Sequence, residues 1–121
     1  MASSEPAAGS LAVVSGWGIR SYDDLTLPTQ LQAVEVDIIS RATCKSAYAA
    51  FSEITENVIC AAVFGGGKDF CSGDEGGPLV VGGKLVGIAS WPWGCGSSIY
   101  PGVYTNVATI KDFITQETGV Q

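Results

Sequence analysis

The stretch Lys68-Asp69-Phe70-Cys71-Ser72-Gly73-Asp74-Glu75-Gly76-Gly77-Pro78 decides the fold of this chain. Three of its last six residues are glycines, and glycine permits the backbone geometry that tight loops require. The stretch leads directly into residues 79–89, two apolar runs that the pair Gly82-Gly83 separates. A glycine pair at that place is typical of a hairpin turn, where positive φ angles are needed. The sequence therefore predicts a tight loop followed by a β-hairpin.

The composition is that of a folded domain, since 46% of the 121 residues are hydrophobic and 15% are charged. This length suffices for one domain with a modest core. The net charge is −6 and no lysine or arginine cluster occurs, so neither nucleic acid nor an anionic membrane surface is an expected partner. No apolar run approaches the length of a membrane span. The N-terminus lacks the basic start and the apolar core of a signal peptide.

Hydrophobic periodicity places further elements along the chain. It predicts strands over residues 11–18, 31–39, 57–63 and 103–107. Ser40 is predicted to cap a short helix that runs to Tyr48. The spacing of Val107, Ile110 and Ile114 predicts a helix over residues 108–118, with Gly119 as its C-cap. Residues 1–10 are small and polar and are predicted to be a linker, so one small closed barrel is expected over residues 11–121.

Four cysteines, at positions 44, 60, 71 and 95, permit three disulfide pairings. Their spacings lack the tight pairs that are typical of zinc sites. The chain contains no histidine, so a mixed Cys/His metal site is excluded. Four reduced, buried thiols are the alternative to disulfides.

The loop Gly73-Asp74-Glu75-Gly76-Gly77-Pro78 resembles the nucleophile loop Gly-Asp-Ser-Gly-Gly-Pro of chymotrypsin/trypsin-like serine proteases, with Glu75 in place of the catalytic serine. Further matches, in chain order, are Val14-Ser15-Gly16-Trp17-Gly18, Ser90-Trp91 and Tyr100-Pro101-Gly102-Val103-Tyr104. Together they cover nearly the whole chain but only the C-terminal half of such an enzyme. The resemblance implies an all-β fold, a six-stranded antiparallel Greek-key barrel with a short helix near residues 40–48 and a C-terminal helix.

The same resemblance implies the disulfides Cys44–Cys60 and Cys71–Cys95 and an extracellular parent family. One disulfide common in vertebrate members is absent, because its two positions hold Ala12 and Val81. In this respect the chain is similar to arthropod or fungal trypsins.

The nucleophile position is degenerate. In the family a histidine activates the serine, but this chain has no histidine and the Glu75 carboxylate is a poor nucleophile. The resemblance assigns the oxyanion hole to the N–H groups of Gly73 and Glu75, and we expect the Glu75 carboxylate to occupy this hole or to turn to solvent. Asp74 matches the carboxylate that pairs with a new N-terminal amine on activation. Without that amine we expect Asp74 to be unpaired, and the pocket over residues 65–75 and 90–97 to be loosened.

Four positions match the family's specificity pocket. Asp69 matches the acid at its base, which pairs with a substrate Arg or Lys; a loop aspartate that caps local amides is the alternative. Phe70 stands where a small residue normally faces the pocket, so it would fill volume that a long basic side chain needs. Ser72 and Gly102 complete the match.

Ser90, Trp91 and Pro92 match the edge that pairs with the substrate backbone. Pro92 has no N–H, so one hydrogen bond to a peptide would be lost there. For Trp91 and Trp93, packing against the protein itself is the alternative to substrate contact.

Three functions are open for the chain. It is a protease homologue that does not cut and acts, if at all, by binding; or the C-terminal half of a protease that needs a separate barrel with His and Asp; or a structural or antigenic fragment. The first is favoured, because Phe70, Glu75 and Pro92 all depart from the trypsin pattern while the cysteines persist. No cofactor and no metal are expected. The face between the barrels would expose apolar surface, so the expected partners are the N-terminal barrel, a second copy or another protein.

Overall fold

The computed structural model describes residues 1–21, 23, 26–50, 53–91 and 94–121. Its elements are β1 (Leu11–Gly16), β2 (Gln32–Ile39), α1 (Arg41–Tyr48), β3 (Val58–Ala62), β4 (Pro78–Val81), β5 (Lys84–Trp91), β6 (Gly102–Asn106) and α2 (Val107–Thr118). The strands form a closed antiparallel barrel in the order β1-β2-β3-β6-β5-β4. Because β4 returns beside β1 after three successive strands, the order is that of a Greek key. The expected all-β barrel with two helices is confirmed.

Strand β2 has the half-buried alternation that its sequence predicts. Val36 and Ile38 are buried inside the barrel, whereas Glu35 before them is exposed and Asp37 between them is half-buried. The strand pairs with β1 in a regular register, from Leu11 opposite Asp37 to Gly16 opposite Gln32. It begins one residue later than predicted.

The predicted hairpin is formed by β4 and β5. Gly82 and Gly83 adopt φ angles of 56° and 79° at its turn, which is the geometry that favours glycine at both central positions. Leu79 of β4 is fully buried and belongs to the barrel core together with Val86 of β5. Both strands of the hairpin that follows the Glu75 loop thus contribute side chains to the barrel core.

Each helix has the one cap that the sequence predicted for it. The Ser40 hydroxyl accepts a hydrogen bond from the Thr43 N–H at 3.2 Å, which fixes the start of α1. Helix α2 begins one residue earlier than predicted, and the Gly119 N–H donates to the Thr115 carbonyl at its end. In the described part of the chain, neither helix is long and apolar enough to span a membrane.

Two disulfides join the elements. Cys44–Cys60 links α1 to β3, and Cys71–Cys95 links the loop before β4 to the loop after β5. Both expected pairings are confirmed, and the alternative of four reduced thiols is wrong.

Residues 1–10, here called the N-terminal arm, lie along the barrel. Ala2 is buried, and its N–H donates to the Leu85 carbonyl at 3.0 Å. Glu5 forms an ion pair with Arg41 at the start of α1. The Gly9 N–H donates to a carbonyl of β2 at 2.7 Å. The arm therefore contacts β5, α1 and β2.

Candidate functional site

The loop before β4 places Gly73 against the segment that follows β1. Gly73 has a φ of +99°, a conformation that glycine adopts easily and that strains other residues. A Cβ added there would lie 2.9 Å from the Cα of Gly18. Both the turn and the close approach therefore require glycine at this position.

Glu75 is exposed, and its side chain turns back onto this loop. Its Oε2 accepts a hydrogen bond from the Gly73 N–H at 2.9 Å. This N–H is one of the two donors that the resemblance assigns to the oxyanion hole. A negative carboxylate thus lies on a donor that, in the family, serves the negative charge of a transition state.

Asp74 is tied to the main chain on both sides. Its Oδ1 accepts from the Gly18 N–H at 2.8 Å, and its Oδ2 accepts from the Cys71 N–H at 2.9 Å. The expectation of an unpaired carboxylate is wrong, because it considered charged partners only and missed two backbone donors. Hydrogen bonds of this kind lower the cost of a half-buried charge. The predicted loosening of residues 65–75 and 90–97 stays a prediction.

Asp69 is half-buried beside β6 and also bonds to backbone N–H groups. Its Oδ1 accepts from the Phe70 N–H at 2.9 Å and its Oδ2 from the Gly96 N–H at 3.5 Å. Burial raises its pKa to about 7, while these two hydrogen bonds act in the opposite direction. The contacts match the alternative that the sequence left open, an aspartate that caps local amides.

Phe70 is directed into the barrel core. It is 1% exposed and packs edge-on against Tyr104 with the ring centroids 5.0 Å apart. A Cβ added at Gly102 would lie 3.1 Å from the Phe70 Cε1. Asp69, Phe70 and Gly102 are therefore brought together, as their match to one pocket implied, and the Phe70 ring belongs to the barrel core. That this ring takes up pocket volume stays a prediction.

Tyr104 is the core neighbour of Phe70, and the sequence did not single out its side chain. Its ring is fully buried, and among the described residues its hydroxyl has no hydrogen-bond partner. Burial raises the pKa of Tyr104 above its ordinary value. The sequence feature that could have indicated this unpaired hydroxyl is Phe70, because an apolar neighbour can neither donate a hydrogen bond to Tyr104 nor accept one from it.

The edge that the resemblance assigns to substrate binding lies at the end of β5. Ser90 lies at an irregularity between Ala89 and Trp91, where the pairing with β6 shifts register. Trp91 packs edge-on against Tyr48 of α1, with centroids 5.0 Å apart. The Tyr48 hydroxyl donates to the Pro101 carbonyl, a contact that the sequence did not indicate. Pro92 and Trp93 lie outside the described residues.

Ser72 is exposed at the surface of the loop before β4, where its carbonyl accepts a hydrogen bond from the Ile19 N–H at 2.9 Å.

A cavity of about 380 Å³ lies beside Glu75, and Trp17, Leu31 and Pro78 form its apolar wall. Within the described residues, no group of three or more His, Cys, Asp or Glu side chains is placed to hold a metal ion.

These features can be set beside known proteins. The family model described as Trypsin matches residues 1–114. The chain belongs to the trypsin family. Trypsin delta of Drosophila melanogaster is 51% identical over 115 residues, and Trypsin beta of Drosophila erecta is 52% identical over 115 residues. Each match covers 94% of this chain and 45% of the relative, so the chain spans about half the length of the curated trypsins it matches.

The trypsin-like fold is also found in a solved structure. Neuropsin, a serine protease expressed in the limbic system of mouse brain, superposes with a TM-score of 0.89 at 38% sequence identity. The match covers 97% of this chain and 52% of neuropsin. Both the sequence relatives and the structural neighbour place this barrel within trypsin-like serine proteases.

Proposed function

We propose that this chain is the C-terminal barrel of a trypsin-like protease, that Glu75 replaces its catalytic serine, and that it acts by binding and does not cleave peptide bonds. The observation that carries the proposal is the hydrogen bond between the Glu75 carboxylate and the Gly73 N–H. The negative side chain thus occupies an N–H group that an active trypsin keeps free for the transition state.

The chemistry of the residues supports this proposal. Peptide hydrolysis by this family needs a hydroxyl nucleophile and a base that removes its proton. Glu75 offers no hydroxyl, and the 121 residues include no histidine. This chain by itself therefore supplies neither the hydroxyl nucleophile nor the base.

The pocket residues support a loss of basic-substrate binding as well. Asp69 uses both carboxylate oxygens on backbone N–H groups, and its pKa is raised towards neutrality. A substrate Arg or Lys would meet an acid that is partly neutral and that already accepts hydrogen bonds on both of its oxygens.

A binding role draws support from the surface around Glu75. Trp17 and Leu31 are 57% and 52% exposed, and both line the cavity beside Glu75. Exposed aromatic and aliphatic side chains beside a concave surface are typical of protein interfaces. We propose that this surface docks another protein chain, either the N-terminal barrel of a longer parent or a further partner.

The partner surface can be tested with charge substitutions. Trp17→Glu should abolish any complex that sedimentation velocity detects, because a carboxylate cannot be buried there without a partner. Phe113→Glu on α2 is the matched control, since Phe113 is 66% exposed on a different element. Equal effects of both variants would contradict a specific role for the Trp17 surface.

The second candidate is a protease half that becomes competent beside a barrel with His and Asp. The observation in its favour is the coverage of only 45% of Trypsin delta. To separate the two candidates, the wild-type chain and Glu75→Ser are each mixed with the N-terminal barrel of a fly relative and assayed on an arginine chromogenic substrate. Turnover with the wild type would contradict our proposal. Turnover only with Glu75→Ser would support it and identify Glu75 as the block.

The third candidate, a structural or antigenic fragment, predicts no complex at all. For the cellular location we propose an extracellular parent, because both disulfides would persist in an oxidising compartment.

A further inference from the structure

A cavity of about 350 Å³ lies between the N-terminal arm and strands β2 and β3. The arm crosses this cavity between two points at which it is held. Glu5 forms its ion pair with Arg41 on one side, and the Gly9 N–H donates to the Ile38 carbonyl at 2.7 Å on the other. The Ile38 N–H in turn donates to the Ser10 carbonyl at 3.0 Å. The cavity is therefore bounded by a stretch of chain that is anchored at both ends.

The residues between these two anchors are too small to fill the cavity. Residues 6–8, a proline and two alanines, form the arm side of its wall. The apolar side chains of Ile39, Ile54 and Val58 line it as well. Ordinary packing leaves few voids larger than a water molecule, whereas the volumes of small-ligand sites are about 300–1,000 Å³. The arm therefore leaves open a space of ligand size.

The apolar wall of the cavity belongs to a smaller core around the Cys44–Cys60 disulfide. Ile54 and Cys60 are 2% and 1% exposed in this core, and Ile39 and Val58 pack against it. The disulfide joins this part of β3 to α1. The wall is thus held in place by covalent and packing contacts, as is typical of a site that exists before its ligand binds.

The polar groups at the rim of the cavity are already satisfied by one another. Among the described residues that line it, the charged ones are Glu5 and Arg41, and their ion pair leaves no net charge. The Ser40 hydroxyl donates to the Thr43 hydroxyl at 2.8 Å and accepts from the Thr43 N–H at 3.2 Å. A charged ligand would lose its hydration here and would meet two charges that neutralise each other. The rim therefore favours an uncharged ligand.

We propose that this cavity is a binding site for a small uncharged molecule with an apolar body, of the size of one or two fused rings. Burial of the apolar surface against Ile39, Ile54 and Val58 supplies the driving force. The bound molecule contacts both the arm and the core around the disulfide, so it stabilises the folded chain. This inference uses no residue of the Glu75 site and does not depend on whether that site cleaves peptides.

The direct test is a titration of the full chain with three naphthalene derivatives, followed by ¹⁵N–¹H correlation spectra. The probes are 2-naphthalenemethanol, which is uncharged, 2-naphthoate, which is negative, and 2-naphthylmethylammonium, which is positive. The alcohol should shift the amide resonances of the arm and of Ile39, Ile54 and Val58 until they saturate. Both ions should bind at least about ten-fold more weakly, because each would bury a charge. The absence of saturable shifts, equal binding of all three probes, or shifts centred on Trp17 and Leu31 would overturn the proposal.

Variants that fill the cavity provide the second readout. Val58→Phe places a ring in the cavity and should abolish binding of the alcohol. Val81→Phe is the matched control, because Val81 is also half-buried but lies on β4, which contributes no described residue to the cavity wall. It should bind the alcohol with unchanged affinity. Ala8→Leu narrows the cavity from the exposed arm and should weaken binding several-fold, which keeps the test valid if Val58→Phe does not fold. Full affinity in Ala8→Leu and in a folded Val58→Phe would overturn the proposal.

The neutral rim is tested by the removal of one charge. Glu5→Gln keeps the size of the side chain but leaves the Arg41 charge without its partner, so 2-naphthoate should bind several-fold more tightly than to the wild type. Glu117→Gln is the control, since Glu117 is exposed near the end of α2, and it should leave this affinity unchanged. An unchanged affinity of Glu5→Gln for 2-naphthoate would contradict the neutral rim and the preference for an uncharged ligand.

Discussion

The Glu75 carboxylate accepts a hydrogen bond from the N–H of Gly73, two residues earlier, at 2.9 Å. Under our proposal that Glu75 replaces the family's serine, the replacement changes two things at once, the reacting atom and the state of the donor beside it.

This contact predicts a specific spectroscopic change. In Glu75→Ala the Gly73 amide proton should shift upfield in an ¹⁵N–¹H correlation spectrum, because it loses a charged acceptor. Glu75→Gln should give a smaller shift, since its amide oxygen still accepts. Because the site is exposed, the free energy of unfolding should change by no more than about 1 kcal/mol. Glu117→Ala on α2 serves as the control, and an unmoved Gly73 resonance in Glu75→Ala would refute the contact.

Among the described residues the buried Tyr104 hydroxyl has no hydrogen-bond partner, so we predict that its removal stabilises the fold. Tyr104→Phe should keep the ring contact with Phe70 and raise the free energy of unfolding by about 1–2 kcal/mol, the cost of burying an unsatisfied hydroxyl. Tyr48→Phe is the matched control, because its hydroxyl donates to the Pro101 carbonyl, and it should lose about 1 kcal/mol. Urea unfolding measures both, and a destabilised Tyr104→Phe would show that the hydroxyl has a partner.

Asp69 predicts a pH dependence of stability. Its pKa of about 7 in the folded chain lies above the ordinary value of 3.8, so between these values the folded state holds a proton that the unfolded state has lost. Stability should therefore fall as the pH rises from about 4 to about 7 and level off above. The full shift corresponds to at most about 4 kcal/mol, and solvent that reaches the half-buried side chain reduces this.

The matched variant for this dependence is Asp69→Asn. It should flatten the stability profile between about pH 4 and pH 7 and be more stable than the wild type at pH 8, because an amide carries no charge to bury. Denaturant midpoints across the pH range measure this effect. A wild-type chain that gains stability over the same window would contradict the raised pKa.

The sequence predicted most of the architecture because the signals were local or paired. The Val36 and Ile38 alternation, the Ser40 cap and the Gly82-Gly83 turn each depend on residues close in sequence, and all three are confirmed. The cysteine pairing came from the family resemblance and is also confirmed. Such features are predictable because they follow from spacing and from one motif.

The missed features depend on contacts between distant segments. The Asp74 carboxylate meets the Gly18 N–H across 56 residues of sequence, and nothing in either segment indicates that donor. The ring contact between Tyr48 and Trp91 likewise depends on how the barrel closes. The same is true of the Tyr104 hydroxyl, which has no hydrogen-bond partner in the described part of the chain. The burial of Ala2 was missed because small residues at a chain end give no periodic signal.

The most direct test of the central claim is an assay of the purified chain on a chromogenic arginine or lysine substrate, before and after a second purification. We predict no turnover above the uncatalysed rate, because the chain supplies neither a serine hydroxyl at position 75 nor any imidazole. Turnover that copurifies with the chain at constant specific activity, and that Glu75→Ala abolishes, would contradict this claim.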